Sequence, residues 1–378
     1  MDFNALLELM AQKKASDLFI TAGRAVTLKI DGILINITKT PLTAEQSLQT
    51  VLSIMDQRQK KEFENTKECQ FAIGKTDLGR FRVSAFKQRD SAGMVIRRIE
   101  NDIPDAESLH LPLALKNLVM EKRGLILFVG ATGVGKSTTL AALIKHRNQN
   151  SSGHIITIED PIEYQHPHLG CIITQREVGI DTESYEVALK NALRQAPNVI
   201  LIGEIRTRET MQNALTFAET GHLCLSTLHA NNANQALERI MHFFPENMQG
   251  QLLLDLSLNL KAIVAQQLIK SIDGEGCYPA VEILLNTPLA SDHIRKGELY
   301  KLKDLMKESR EQGMQTFDQA LFELYRLDKI SYEDALNSAD SHNEVRLMIK
   351  LNRDNTRTLS KEDIELLDQD SDKIFSNK

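Results

Sequence analysis

Tryptophan is absent from this 378-residue chain and cysteine is scarce: Cys69, Cys171, Cys224 and Cys277 stand alone, with no C-x-x-C pair among them. That spacing argues against a zinc knuckle and against a disulfide framework, and scattered single cysteines fit a reducing compartment. Long apolar runs are missing too; none approaches the ~18 residues a membrane-crossing helix needs. The opening segment MDFNALLELMAQKK carries Asp2 and Glu8 and has no basic leader, so no signal peptide is expected. Any association with a membrane is therefore expected to run through a partner. An excess of positive charge is also lacking, since 45 Lys and Arg face 51 Asp and Glu for a net charge of −6. Nonspecific nucleic-acid binding draws on surplus cations, so this balance gives it no support, although a local basic patch stays open.

What is present is ordinary for a globular chain, 42% hydrophobic and 25% charged, at a length that suggests two or three domains. Phe3, Leu6, Leu7 and Met10 recur at helical spacing. SDLFITAG reads as a strand ending in a turn, and VTLKIDGILINI as a hairpin around Asp31-Gly32. GRFRVSAFKQR alternates Phe81, Val83 and Ala85 with Arg80, Arg82 and Ser84, and AGMVIRRIE supplies a partner strand. Residues 1–102 are thus expected to form a small α+β domain. NDIPDAESLHLP, with two prolines, reads as a linker, and 103–112 is the expected hinge.

Beyond the linker the pattern changes. Continuous apolar strands GLILFVG, HIITIED, VILIGE and LCLSTLH alternate with helical stretches, which implies a sheet buried on both faces, an α/β domain over 113–350. From about residue 249 the pattern predicts mostly helix. MQGQLLLDLSLNLKAIVAQQL is read as a core helix, because Asp255, Asn259 and Lys261 interrupt it too often for a membrane span. Residues 351–378 are expected to be an acidic, disordered tail, given six carboxylates and no basic residue between 362 and 372.

Three strand ends carry chemistry. GATGVGKS, residues 130–137, matches G-x-x-x-x-G-K-[ST] between a buried strand and a helix. Glycines let backbone N–H groups turn around phosphates and the helix start adds positive potential. The candidate nucleotide-binding residues are Gly130, Ala131, Thr132, Gly133, Val134, Gly135, Lys136, Ser137 and Thr138, with Lys136 on the β and γ phosphates and the Ser137 hydroxyl on Mg²⁺. VILIGE delivers Glu204 to the carboxyl end of its strand, where a carboxylate can polarise an attacking water. TIEDPIEY puts Glu159, Asp160 and Glu163 within five positions. It is either a plain acidic loop or a place for Mg²⁺, whose ligands are carboxylates and waters. In GHLCLSTLHANNA, residues 221–233, His222 and His229 could be metal ligands, core residues or part of a catalytic device.

Taken in order, GATGVGKS, TIEDPIEY, VILIGEIRTRET and TGHLCLSTLHANNA resemble the Walker A, Asp box, Walker B and His box of the secretion ATPase superfamily. TQREVG and NALRQAPNVILIGEIRTRET are also similar to it, and the resemblance spans residues 1 to about 350. One departure is Gly203, where a usual Walker B has Asp. Within the superfamily the chain resembles the type IV pilus retraction branch, PilT and PilU: its N-terminus is short and it lacks a tetracysteine zinc loop. SDLFITAG and the acidic extension lean toward the PilU side. So does ASDHIRKG, residues 290–297, which departs from the PilT helix Ala-Ile-Arg-Asn-Leu-Ile-Arg-Glu at most positions.

The resemblance implies a RecA-like P-loop ATPase domain behind a small PAS-like α+β domain, working as a homo-hexamer on ATP and Mg²⁺. It implies Glu204, Glu163 and His229 as catalytic groups, with Ser137, Glu159 and Asp160 near the metal, partly through water. It also implies a borrowed arginine, worth roughly 10³–10⁵ in rate. The candidates are Arg82, Arg97, Arg98, Arg194, Arg206 and Arg208. Expected partners are a PilT-like retraction ATPase and a PilC-like inner-membrane platform protein, with no nucleic acid and a cytoplasmic location at the inner face of the bacterial inner membrane. The alternatives are an ATP-binding adaptor with little hydrolysis of its own, and a type II secretion or pilus assembly ATPase.

Overall fold

The computed structural model describes residues 2–30, 32–75, 78–99 and 102–351. Asp2 starts helix α1 (Phe3–Gln12) by accepting from the Asn4 N–H at 3.0 Å, and Leu6, Leu7 and Met10 are its buried stripe. Strand β1 (Asp17–Thr21) and the hairpin β2 (Thr27–Ile30) and β3 (Ile33–Asn36) follow, then helices α2 (Ala44–Ser53) and α3 (Gln57–Thr66). Each of these two helices opens on a reciprocal capping box, Thr43 with Gln46 and Asp56 with Gln59. Strands β4 (Glu68–Lys75), β5 (Gly79–Gln88) and β6 (Ser91–Arg98) complete the N-terminal part.

Next come α4 (Leu113–Val119), β7 (Gly124–Val129), α5 (Lys136–Asn150), β8 (Gly153–Glu159), β9 (Cys171–Glu177), α6 (Tyr185–Ala192), β10 (Val199–Ile202), α7 (Arg208–Glu219), β11 (Leu223–Leu228), α8 (Ala233–His242) and α9 (Glu246–Asn259). The chain then runs through β12 (Leu260–Lys270), β13 (Cys277–Leu285), α10 (Pro288–Lys296), α11 (Leu302–Glu308), α12 (Phe317–Arg326), α13 (Tyr332–Asn337) and α14 (His342–Leu351). Of the acidic tail, residues 352–378 lie outside the described residues.

The described residues form two compact units. The first comprises Met1–Ile103 and Ser152–Pro197; the second comprises Pro104–Ser151 and everything described from Asn198 on. In the first unit six strands form an antiparallel sheet in the order β3-β2-β1-β6-β5-β4. Its core gathers Leu7, Met10, Leu18, Ile20, Phe63, Phe81, Val83, Met94 and Ile96. Each such side chain withdrawn from water contributes ~1.5–3 kcal/mol. The first unit also holds β8 and β9, paired in parallel with Glu159 opposite Glu177.

In the second unit the strand order is β13-β12-β7-β11-β10, parallel except for β13. Strands β7, β10 and β11 are buried over their whole length, as their unbroken apolar sequences require. This is the expected mixed α/β architecture with a parallel sheet. Strand register positions the residues at its edge. Val129 lies opposite Leu228, Ile202 opposite Ser226, and Ala265 opposite Val129. Gly130, Glu204 and His229 therefore leave the sheet at one carboxyl edge, and Gln266, still within β12, comes level with Gly130.

The helix predicted from about 249 through 268 is half wrong. Helix α9 stops at Asn259, and Leu260–Lys270 is strand β12 instead. A short apolar run fits either structure by periodicity alone. The β-branched pair Ile263 and Val264, seated between β7 and β13, settles it as strand.

Candidate active site

Val129 ends β7 and the chain turns through Gly130, Ala131, Thr132, Gly133, Val134 and Gly135 into α5. Gly130, Gly133 and Gly135 have φ of +151°, +83° and +83°, a backbone region open to glycine at no steric cost. No acidic residue stands in the first turn of α5, so nothing cancels the positive potential there. Lys136 is buried, and its ammonium donates to the carbonyls of Gly130 at 2.8 Å and Ala131 at 2.6 Å. Ser137 follows it, half-buried, in the first turn.

Glu204 is held from the neighbouring strand. The Thr227 hydroxyl donates to the Gly203 carbonyl at 2.7 Å, the Ile205 N–H donates to the Thr227 carbonyl at 2.9 Å, and the Ser226 hydroxyl donates to the Ile202 carbonyl at 2.8 Å. With the residues on both sides pinned, the carboxylate has a fixed base. Its Oε1 pairs with Arg206. Its Oε2 is buried, makes no hydrogen bond, and has His229 Nε2 at 3.5 Å. A cavity of about 420 Å³ is lined by Gly130, Ala131, His229, Asn231, Glu238 and His242, among others. The second unit thus brings the phosphate loop and His229 to one cavity, with Glu204 beside His229. His222 differs: its Nδ1 stands 3.1 Å from the Thr220 hydroxyl and 3.2 Å from the Phe217 carbonyl, the local satisfaction of a structural histidine.

The acidic segment after β8 belongs to the first unit. Glu159 accepts from the Thr157 hydroxyl at 2.5 Å and from Gln175 Nε2 at 3.2 Å. Burial pushes its carboxyl up to about 7, against these two donors. Asp160 and Glu163 are exposed. Gln175, on β9, laces the segment together: it donates to the Tyr164 carbonyl at 2.9 Å and accepts from the His166 N–H at 2.8 Å. Glu177 is fully buried, accepts from the Ile162 N–H at 3.4 Å and faces Arg82 Nε at 3.6 Å.

The arginine candidates separate by partner. Arg82 faces Glu177 and donates to Gln70 at 2.8 Å, and Arg97 donates to Asp17 at 2.9 Å. Arg98 is half-buried on β6, and Arg194 is exposed on the 3₁₀ turn after α6. Arg206 holds Glu204, and Arg208 lies 5.7 Å from the centre of the Phe244 ring. Among the described residues no group of three or more His, Cys, Asp or Glu is placed to hold a metal ion. Mg²⁺ of the nucleotide-bound kind takes one or two protein oxygens, with phosphates and waters completing its shell. The half-buried Ser137 hydroxyl, in the first turn of α5, fits that donor set.

Two residues outside the sequence motifs support this edge. Gln266 donates to the Val134 carbonyl and accepts from Thr139, both at 2.8 Å. Glu282 on β13, 1% exposed, accepts from the Ala233 N–H at 2.9 Å and so caps α8 just beyond His229. Burial pushes the Glu282 carboxyl up to about 7, against the pull of that N–H. A carboxyl with a higher pKa folded than unfolded binds its proton more tightly in the folded chain. Its contribution is therefore full below the unfolded value and is lost as pH rises through about 7. Glu282→Gln keeps an acceptor for Ala233. It is expected to melt with the wild type near pH 5 and ~3 °C above it near pH 8. A melting difference that does not change with pH would refute that role for Glu282.

A profile of the type II/IV secretion system proteins matches residues 2–356. The type IV pilus ATPase PilU of Pseudomonas aeruginosa is 64% identical over 351 residues, covering 93% of this chain and 92% of that protein. The type IV pilus retraction ATPase PilT of the same organism is 39% identical over 339 residues, covering 90% and 98%. Among solved structures, the pilus retraction motor PilT with bound ADP superposes with a TM-score of 0.85 at 38% identity, covering 92% of this chain and 99% of that one.

Proposed function

The chain belongs to the type II/IV secretion system protein family, and from that premise we propose that it is a hexameric, ATP-hydrolysing motor of the PilU kind. It powers or assists type IV pilus retraction and twitching motility together with a PilT-type motor. The observation that carries this reading is the near full-length likeness to PilU, 64% identical against 39% for PilT.

In this reading Gly130–Thr138 cradle the phosphates, and Lys136 exchanges its loop carbonyls for the β and γ oxygens. Glu204 orients and polarises the attacking water. His229, beside Glu204 Oε2, can donate from one ring nitrogen and accept at the other, and so reports whether the γ-phosphate is present. The Ser137 hydroxyl would serve Mg²⁺, which when bound would offset the charge on the phosphate oxygens. Residues 1–102 act as the small domain, 103–112 as the hinge and 113–350 as the motor domain. Among the described residues no helix is long and apolar enough to cross a membrane. Work at the cytoplasmic face of the inner membrane is therefore assigned to contact with a PilC-like platform protein, and no nucleic acid is involved.

One observation favours a second reading, an ATP-binding adaptor with little hydrolysis of its own. In the segment that departs from the PilT helix, Ala290 and Ile294 are buried, while Arg295 is exposed and pairs with Asp292 on the same helix at 2.7 Å. The buried positions keep α10 packed, and the departures from the PilT helix fall mainly on its other faces. An ATPase assay of the wild-type chain separates the two readings, since the adaptor predicts a rate no higher than that of Glu204→Ala. The biological test is a count of surface pili, with surface motility, in a strain lacking this chain. Normal or excess pili with weakened motility are expected. Few or no pili would mean that the motor drives assembly.

A further inference from the structure

Strand β12 runs parallel to β7 with Ala265 opposite Val129, so the next residue, Gln266, comes alongside Gly130 where the phosphate loop begins. Gln266 is 3% exposed, and both ends of its side-chain amide are used. Its Nε2 donates to the Val134 carbonyl inside the loop, and its Oε1 accepts from the Thr139 hydroxyl in the first turn of α5, each at 2.8 Å. The orientation is dictated by chemistry. A carbonyl only accepts, so the NH₂ must face Val134, which leaves the oxygen for a hydroxyl able to donate.

The loop glycines have the same neighbour. A Cβ at Gly130 would stand 2.6 Å from the backbone carbonyl oxygen of Gln266, and one at Gly135 would stand 3.0 Å from Gln266 Nε2. Gly133 has nothing within 4 Å. The loop thus packs closely on Gln266 at two of its three glycines.

We propose that Gln266 is a positioning residue of the phosphate loop, one that sets nucleotide affinity without touching nucleotide. A trans peptide carries its C=O and N–H on opposite sides. Holding the Val134 carbonyl toward Gln266 therefore aims the Gly135 N–H away from it, and inward-facing backbone N–H groups are what a glycine loop offers to phosphate. The bond to Thr139 fixes the start of α5 to the same amide. The loop is thereby held in shape before nucleotide arrives, and binding need not order it. This inference rests on the ATPase reading.

The test is calorimetric titration of the full chain with ADP, alongside steady-state hydrolysis of ATP. Gln266→Met keeps the volume and removes both hydrogen bonds. It is expected to raise Kd for ADP about tenfold while kcat at saturating ATP stays within about threefold. Gln266→Glu sets a carboxylate against the Val134 carbonyl and near the phosphates, and is expected to weaken ADP further than Met does. Thr139→Val removes one bond and leaves Gln266 in place, with an expected rise of about threefold; it carries the test if the Gln266 variants do not fold. Folded variants that bind ADP as the wild type does, or that lose kcat at unchanged Kd, would overturn the assignment. A wild-type chain that binds no ADP would instead overturn the ATPase reading.

Discussion

Glu204→Gln is expected to lower kcat for ATP hydrolysis by about 10²–10⁴-fold, the usual range for a positioned general base, while the protein still binds ATP. The geometry makes this variant informative. Gly203 and Ile205 are bonded to Thr227 on the adjacent strand, so the backbone that carries residue 204 has little freedom to shift when the side chain changes. Glutamine preserves volume and an oxygen for Arg206 but removes the negative charge that would draw a proton from water. The Oε2 atom that would act on water is the one without a hydrogen bond. Phosphate release under saturating ATP, paired with calorimetric binding of ATP, reads rate and affinity separately. A variant that binds ATP and hydrolyses it at near the wild-type rate would remove Glu204 from the chemistry and shift attention to Glu163.

The second large effect is expected at the other end of the site. Lys136→Ala should weaken ATP and ADP by at least about 10–100-fold, since each charge-assisted hydrogen bond to an oxyanion contributes ~1.5–3 kcal/mol. Hydrolysis should become undetectable at ordinary ATP concentrations. Unlike Glu204→Gln, this loss should appear as affinity before it appears as rate. Lys136 also donates to the Gly130 and Ala131 carbonyls, so alanine leaves those two groups without that donor. Melting temperature with and without ADP separates the causes. The variant should melt somewhat lower than the wild type and gain less from a given concentration of ADP. A Lys136→Ala chain that hydrolyses ATP normally would sink the motor reading as a whole.

Residues that local chemistry singles out as candidates were legible without coordinates. A glycine loop between a buried strand and a helix has few other uses, and Lys136 and Ser137 sit at fixed offsets within it. Glu204 was visible because an apolar strand that ends in a carboxylate delivers it to the edge where ligands of parallel sheets bind. Alternation in β5 announced its two faces, and Phe81, Val83 and Ala85 are indeed the buried ones. Helices α2 and α3 went unannounced for the opposite reason. Helix α3 buries Phe63 alone, and one apolar residue has no period. Capping boxes, not a stripe, define where these two helices begin.

The sequence by itself determined the chemistry of this protein: the phosphate loop, the strand-end carboxylate and the alternation of apolar strands with helices are all written within short windows, where neighbours in the chain are neighbours in space. Only the tertiary structure decided which distant residues serve those windows. Leu260–Lys270 became a strand because a place beside β7 was open to it, and that choice set Gln266, more than a hundred residues away in sequence, against the phosphate loop. Glu282 reached the start of α8, and Glu177 reached Arg82, in the same way. A glutamine or a buried glutamate has no local signature, because its hydrogen-bond partner exists only once the sheet has closed. Its role is fixed by strand register, which no window of sequence contains.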